Sequence, residues 1–291
     1  MRRKAPVLLL LGAFGFGCAG TEGTLLVLHD RSSAGNSAAG SSAAGNGGGP
    51  AAEMPYVPPP GASWAARLDG AVDVGLEVDF FYLDVEQQGE EDLARLRASG
   101  RHYLCYLSAG SVESFRDDAE EFPPQAIGNQ LVNFENERWL DVRDAQVREL
   151  MARRVTALAA SGCAGVPPSA MAVHAADTGF ELTLDDALDY ARWLAERIHA
   201  AGMSAGLQGP AALADQLWPT FDFALAVDCL ANSGCAEFAS FVQAGKTVLH
   251  VEYGDESSAA QICMSAKTLG FDPLITDPGF SGSRIACRDI L

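Results

Sequence analysis

The sequence predicts an α/β fold in which a single domain forms a TIM (β/α)8 barrel. From Trp64 onward, short apolar runs alternate with segments whose apolar residues recur every three or four positions. Such alternation is typical of parallel strands joined by helical crossovers. Because eight strand-like runs occur in this order, we expect a closed barrel, and a doubly wound open sheet is the alternative.

The predicted strands are short and bounded by polar or turn-forming residues. They are WAARL at 64–68, VDFFYLD at 78–84, HYLCYLS at 102–108, RWLDV at 138–142, CAGVPP at 163–168, SAGLQ at 204–208, DFALAVD at 222–228 and TVLHVEY at 247–253. The segment DPLITD at 272–277 is predicted to be an additional short strand or an extension.

Two of the connecting helices have recognisable start and stop signals. The first follows Asp144 and ends at Gly162, and its apolar face consists of Val147, Leu150, Met151, Val155 and Leu158. The second begins with a capping box formed by Thr183 and Asp186 and ends at Gly202. Both therefore fit the crossovers that a barrel requires.

The N-terminal region predicts export. Residues 1–18 combine a basic start, a short apolar run and small residues before Cys18, which is typical of a signal peptide and too short for a membrane span. Cys18 is predicted to carry the lipid of a bacterial lipoprotein, and an ordinary cleaved signal is the alternative. Residues 19–60 are predicted to be a low-complexity Gly/Ser/Ala linker, and residues 61–291 the barrel. We expect an extracytoplasmic protein, lipid-anchored to the cell envelope or secreted.

The composition limits the possible partners. The chain has 20 Lys and Arg against 38 Asp and Glu, a formal net charge of −18. Such a surface repels nucleic acid and anionic lipid headgroups and attracts a polycation, although acidity also keeps an exported protein soluble. We expect a monomer with no nucleic-acid partner, which contacts the membrane only through a lipid anchor.

The cysteines predict disulfides, since an exported chain folds in an oxidising compartment. Cys229 and Cys235 are close in sequence, and Cys263 and Cys287 bracket the C-terminal segment, so we predict these two pairs. Cys105 and Cys163 are predicted to be buried free thiols. Because no CxxC pair occurs and the five histidines are scattered, neither a metal nor a cofactor is expected.

Function in a TIM barrel lies at the C-terminal ends of the strands. The polar residues predicted there are Asp84, Glu86, Ser108, Ser111, Asp141, Arg143, Gln208, Asp228 and Glu252. Paired carboxylates at this position suit glycoside hydrolysis, separated by about 5 Å for retention or about 6.5–9.5 Å for inversion. Each acid alone is equally explained as a rim residue bonded to an arginine, a tyrosine or a backbone N–H.

Several motifs, in order and spacing, resemble family 114 of the glycoside hydrolases, the endo-α-1,4-polygalactosaminidase family. They are FYLD, CYLSAGSVESFRDDAEEFPPQAIGN, ERWLDVR, GCAGV, DTGFELT, FDFALAVDC and AGKTVLHVEYG. The resemblance covers roughly Trp64 to Cys287. It implies a TIM barrel and a polysaccharide ligand, in particular a cationic galactosamine polymer.

The same resemblance implies that the catalytic motifs are degenerate. The family usually reads GxEPDNxD where this chain has GVPPSAMA, and NEQC where it has AVDC. Carried over residue by residue, the catalytic Asp of the family falls on Ser169 and its Glu on Val227. Pro167, Ala170 and Ala172 replace further polar residues of the family. Both expected carboxylates are therefore absent, as in a pseudoenzyme.

Two hypotheses follow for the activity. In the first, a degenerate barrel binds carbohydrate, or alternatively a protein partner at the cell surface, with little or no hydrolysis. The residues that match the family and could hold a sugar are Asp84, Tyr106, Ser108, Asp141, Arg143, Asp177, Glu252 and Tyr253. In the second, an active glycosidase uses relocated carboxylates, drawn from Asp84, Asp141, Asp177, Asp228 and Glu252, with Asp228 and Glu252 as the main substitutes. A purely structural module with a filled barrel end is a third possibility.

Overall fold

The structure is a computed structural model that describes residues 54–209 and 211–290. Cys18, the predicted signal peptide and most of the predicted linker lie outside the described residues. The strands are β1 (Trp64–Arg67), β2 (Phe80–Leu83), β3 (His102–Cys105), β4 (Leu107–Ser108), β5 (Ser111–Glu113), β6 (Ile127–Gln130), β7 (Glu137–Leu140), β8 (Gly165–Val166), β9 (Pro168–Ser169), β10 (Ser204–Gln208), β11 (Phe223–Val227), β12 (Val248–Tyr253), β13 (Leu274–Thr276) and β14 (Ile285–Ala286). The helices are α1 (Glu90–Ala98), α2 (Ala145–Ala160), α3 (Leu184–Ala200), α4 (Ala214–Leu217), α5 (Ala239–Gln243) and α6 (Glu256–Thr268).

Eight parallel strands form the curled central sheet, in the order β1, β2, β3, β8, β10, β11, β12 and β13, and β14 pairs antiparallel with β13. The two ends of the sheet approach each other. The backbone N–H of Leu68 donates to the carbonyl of Phe280 at 3.0 Å, and Arg284 Nε donates to the carbonyl of Trp64 at 3.1 Å. The predicted TIM barrel is confirmed, and we call its open C-terminal end the mouth.

The predicted fourth barrel strand, 138–142, is wrong as a barrel strand. It corresponds to β7, which pairs antiparallel with β5 and β6 in a separate sheet, the side sheet. In the barrel, β3 pairs directly with β8, and β13 from the extra segment 272–277 supplies the eighth parallel strand. The two apolar residues Trp139 and Leu140 fit a half-buried strand of either sheet, so the local sequence could not tell the two sheets apart.

The disulfides include one that the sequence did not predict. Cys229–Cys235 and Cys263–Cys287 are confirmed. The prediction of free thiols at Cys105 and Cys163 is wrong, since these residues are bonded with a Cα–Cα distance of 5.8 Å. With 138–142 outside the barrel, β3 and β8 are neighbours, and this adjacency brings the two cysteines within bonding distance.

The two predicted helices are confirmed as α2 and α3. Asp144 caps α2 by accepting from the backbone N–H groups of Gln146 and Val147. The Thr183 and Asp186 side chains form the reciprocal capping box of α3. The predicted apolar face of α2 is buried, and α3 likewise buries an apolar face that includes Leu188, Leu194 and Ile198. Among the described residues, no helix has the length and apolarity needed to cross a bilayer.

Large side chains fill the barrel interior. Trp64 and Phe80 stack with ring centroids 5.8 Å apart, and Tyr82, Leu104, Phe223, Leu225, Leu249, Val251 and Leu274 complete the cluster. Gly206 makes room for this packing, because a Cβ there would lie 2.4 Å from the Phe223 ring. Because side chains fill the interior, a ligand is expected to bind at the mouth.

Candidate functional site

The two expected catalytic positions lie at the mouth. Val227 ends β11 and packs its half-buried side chain against the interior cluster. Ser169 ends β9, lies beside the hydroxyl of Tyr106, and donates its own hydroxyl to the carbonyl of Leu107 at 3.3 Å. A valine methyl and a serine hydroxyl therefore occupy these two strand ends, and neither group can act as a carboxylic acid.

Each of these positions is followed by a residue in the left-handed backbone region. Ala170 has φ of 58° and Asp228 has φ of 53°. Such conformations cost on the order of 1 kcal/mol or more for residues other than glycine, and they cluster at functional sites. Asparagine, which the family carries at position 170, adopts this region more readily than alanine. Gly110 completes the turn, because a Cβ there would lie 1.8 Å from the carbonyl oxygen of Ala170.

Asp84 is held in a buried ion-pair network centred on Arg116. The guanidinium donates to Asp84 Oδ2 at 2.8 Å, to Glu113 Oε2 at 2.7 Å and to Glu86 Oε2 at 2.9 Å. Asp84, Glu113 and Arg116 are all buried. Although burial acts to lower it, the carboxylates of Asp84 and Glu113 keep the pKa of Arg116 above its ordinary value. Neither Arg116 nor Glu113 was among the predicted site residues.

Glu137 is a second residue that the sequence analysis missed. Its carboxylate accepts a hydrogen bond from Ser111 Oγ at 2.9 Å, and Ser111 in turn contacts Ser108. Burial, followed by the negative charge of Glu113, raises the pKa of Glu137. The available signal was the motif ERWLDVR, in which Glu137 comes directly before the predicted strand at 138–142. A half-buried carboxyl with a raised pKa is suited to donating a proton.

Tyr106 contacts both the buried acids beside Arg116 and the residues at the mouth. Its hydroxyl donates to Glu113 Oε1 at 3.4 Å and lies beside Ser108 and Ser169. Burial, with the charges of Glu113 and Glu137, raises the pKa of the Tyr106 hydroxyl. The predicted residues Asp84, Tyr106 and Ser108 are therefore brought together, and Ser169 lies with them.

Glu252 is buried on the outer face of β12, because its neighbours Val251 and Tyr253 pack toward the interior cluster. Its Oε1 accepts from His250 Nε2 at 2.6 Å and from the backbone N–H of Leu230 at 2.9 Å. Burial alone would raise the pKa of Glu252, but these hydrogen bonds lower it below its usual value. Glu252 therefore has a structural role, because its carboxylate holds the loop after β11 in place.

Asp228 lies beside Glu252, at the rim of the mouth. Its backbone N–H donates to the carbonyl of Val251 at 2.7 Å, and Asn232 Nδ2 donates to its Oδ2 at 3.4 Å. Burial and then the charge of Glu252 raise the pKa of Asp228. Asp228 follows the end of β11 in the left-handed backbone region, so strand alternation does not fix the direction of its side chain, whose charge acts on both Glu252 and Tyr253.

Tyr253 stands on an aromatic wall of the mouth. Phe280 makes edge-to-face contacts with Tyr253 and Tyr82, with centroid distances of 6.1 and 6.3 Å. The Tyr82 hydroxyl donates to Gln208 Oε1 at 3.0 Å. Burial, with the charge of Asp228, raises the pKa of Tyr253 to about 12. Tyr82 and Phe280 are buried, so the half-buried Tyr253 ring is the one in this group that can offer a face for a sugar ring to stack on.

The remaining predicted binding residues contact the side sheet and its surroundings. Asp141 and Arg143 form a bidentate ion pair at 2.9 Å, and Arg143 Nη1 donates to the carbonyl of Glu181. The Arg143 side chain lowers the pKa of Asp141. Asp177 accepts from Asn129 Nδ2 at 2.9 Å. Within the described residues, these contacts do not extend to the residues around Tyr106.

One group of side chains has the composition of a metal site. The ligand atoms of Cys229, Cys235, His250 and Glu252 lie within 4.8 Å of one another. The two sulfurs are bonded to each other in a disulfide, and the His250 and Glu252 side chains are hydrogen-bonded together. The group therefore fits a structural role, in which its disulfide and hydrogen bonds hold the loop after β11.

Comparisons with known proteins identify the family and support the fold. The family described as Glycoside-hydrolase family GH114 matches residues 48–291, while no curated protein matches the chain. The crystal structure of Aspergillus fumigatus Ega3 in complex with galactosamine is similar, with a TM-score of 0.76 and 27% identity over 82% of this chain and 100% of that chain. The glycoside hydrolase domain of PelA from Pseudomonas aeruginosa shares the fold, with a TM-score of 0.61 and 13% identity over 77% of this chain and 98% of that chain.

Proposed function

The chain belongs to glycoside hydrolase family 114, and we propose that it is an exported, lipid-tethered member that binds galactosamine-rich polysaccharide with little or no hydrolysis. The observation that carries this proposal is the pair Ser169 and Val227 at the mouth. Glycoside hydrolysis requires a proton donor and a base or nucleophile on opposite sides of the scissile bond. The residue-by-residue resemblance places both groups at positions where this chain has no carboxylate.

The contacts of the buried acids support the same conclusion. Asp84 and Glu113 share the Arg116 guanidinium, and Glu252 is occupied by His250 and by backbone N–H groups. Removing such carboxylates from their partners would leave uncompensated buried charge. Their contacts therefore stabilise the local structure, and these contacts would have to break before the carboxylates could act on a substrate.

The ligand class follows from charge and from the relative with bound sugar. The net charge of −18 favours a polycation, and the similar Ega3 structure contains galactosamine. Galactosamine residues without an acetyl group carry an ammonium at neutral pH. The half-buried Tyr253 ring and the half-buried Tyr106 side chain are candidates for the stacking and hydrogen bonding that sugar binding needs.

A second candidate function is an active glycosidase that uses relocated carboxylates. It is favoured by the burial and neighbouring negative charge that raise the pKa values of Glu137 and Asp228, because a raised pKa favours the protonated form that a general acid needs. Glu137 extends the set that the sequence suggested, while Asp141 and Asp177 contact the side sheet and its surroundings and are weaker candidates.

One experiment separates the two functions. The purified domain is incubated with partly deacetylated α-1,4-linked galactosamine polymer, and both bound polymer and new reducing ends are measured. We expect binding that weakens as salt screens the charges, with reducing ends at the level of a buffer control. Robust turnover that disappears in Glu137→Gln or Asp228→Asn, but persists in the control Asp215→Asn, an exposed residue of α4, would establish the second function instead.

A further inference from the structure

A groove with a volume of about 580 Å³ lies beside the mouth. Its walls are the segment after β2, the segment after β5, and the C-terminal half of α2, and we call it the lateral groove. Asp84, Tyr106 and Ser108 line it, so the groove and the mouth share these residues. The volume falls within the range of about 300–1,000 Å³ that ligand pockets occupy.

The lateral groove has an exposed aromatic side chain in its wall. Phe115 lines it and is 54% exposed, and the buried side chain of Leu107 adds apolar surface. The Arg116 guanidinium lies 5.0 Å from the Phe115 ring centroid. Binding of a ligand over a large exposed ring beside a concave surface is favourable, because it removes apolar surface from water. A pyranose ring presents a C–H face of matching size.

The charges of the lateral groove favour a cationic occupant. Six carboxylates and three guanidinium groups line it, so acids outnumber bases by three. Arg116, Arg153 and Arg154 are each paired with acids from this same set. Asp117 is exposed, and within the described ranges it has no hydrogen-bond or ion-pair partner. An acidic peptide or a nucleic acid would meet net repulsion here.

We infer that the lateral groove binds further residues of a cationic amino-sugar chain whose other residues occupy the mouth. Phe115 stacks on a pyranose ring, and Asp117 pairs with the ammonium of a galactosamine residue. The inference rests on the proposed function, since it extends the same ligand beyond the mouth. It predicts that affinity increases with chain length, because only a long oligomer reaches both surfaces at once.

The test compares a trimer and a nonamer of α-1,4-linked galactosamine, titrated into the intact exported domain. Phe115→Ala and Asp117→Asn remove the two groove contacts. The matched controls are Phe134→Ala, whose ring is 52% exposed but lies in the turn between β6 and β7, and Glu135→Gln in the same turn. All four side chains are exposed, so each variant is expected to keep the melting temperature of the wild type.

We expect the wild type to bind the nonamer more tightly than the trimer. Each groove variant should weaken nonamer binding by about threefold to tenfold and leave trimer binding unchanged. The two control variants should bind both oligomers as the wild type does. If the nonamer binds but Phe115→Ala does not alter its affinity, the groove inference is wrong and the proposed function stands. If neither oligomer binds the wild type, both are wrong. A fully N-acetylated nonamer should be insensitive to Asp117→Asn, since it has no ammonium group.

Discussion

Cys105 and Cys163 are bonded across the neighbouring barrel strands β3 and β8, although they are 58 residues apart in sequence. The segment between them contains the side sheet and the whole of α2. The bond therefore closes a long loop around the part of the chain that carries Arg116 and Glu137. It ties the position of these residues to the barrel wall.

Removing this disulfide should destabilise the fold more than removing a short-range one. For loops of 58 and 6 residues, the chain-entropy relation gives losses of about 4 and about 2 kcal/mol. The measurement is denaturant unfolding of Cys105→Ala/Cys163→Ala and, for comparison, Cys229→Ala/Cys235→Ala, both without reductant. Equal losses, or a smaller loss for the first variant, would contradict the argument.

The strand pattern predicted the barrel but not the membership of every strand. ERWL and LIT are both short segments with two adjacent apolar residues, and the pairing partners distinguish β7 in the side sheet from β13 in the barrel. Pairing is a long-range property that local periodicity does not encode. The disulfide at Cys105 was missed for the same reason, because it depends on β3 lying next to β8.

The positions of candidate-site residues at the ends of barrel strands could be predicted from the sequence. The positions of residues outside the barrel strands were harder to predict. Asp84 and Ser108 were placed at the mouth because strand ends converge there, whereas Tyr106 and Ser169 were assigned only through the family resemblance. Arg116 comes from the segment after β5, and Glu137 from the first residue of β7. Their approach to the mouth is fixed by the side sheet, whose existence the sequence did not indicate.

Glu252 should give the fold a measurable dependence on pH. Its pKa is lowered in the folded protein, so the stabilisation is present above the unfolded pKa of about 4.3 and is lost as the pH falls through the folded pKa. In Glu252→Gln this component should disappear, with a loss of about 1–3 kcal/mol at neutral pH from the broken contacts to His250 and Leu230.

The measurement for Glu252 is the free energy of unfolding between about pH 3 and 7 for both proteins. Asp228, whose pKa is raised, has the opposite sign, since its contribution is lost as the pH rises through the folded pKa. Asp228→Asn serves as the control, and it should remove that opposing component. Parallel stability curves for the wild type and Glu252→Gln would show that Glu252 does not carry the pH dependence.

The membrane tether is testable at Cys18. A basic, apolar and small-residue sequence precedes this cysteine, and we expect it to be lipidated after export. Metabolic labelling with palmitate should mark the wild type, and Cys18→Ser should lose both the label and the membrane fraction. Because Cys105 is disulfide-bonded, Cys105→Ser should keep the label. Labelling that survives in Cys18→Ser would disprove the lipid anchor.

Restoring the two family carboxylates should restore little activity. In Ser169→Asp/Val227→Glu, both acids return to the strand ends at the mouth, and loss of general acid–base groups typically costs a factor of about 10²–10⁴. The neighbouring positions remain Pro167, Ala170 and Ala172, which cannot hydrogen-bond and orient a new carboxylate. We expect reducing-end release from galactosamine polymer to stay within about tenfold of the wild type. The control is the same double variant with Ala170→Asn, which places a side chain that tolerates the left-handed backbone next to the new Asp and should release more. Full turnover in the double variant alone would show that Ser169 and Val227 are the sole lesions.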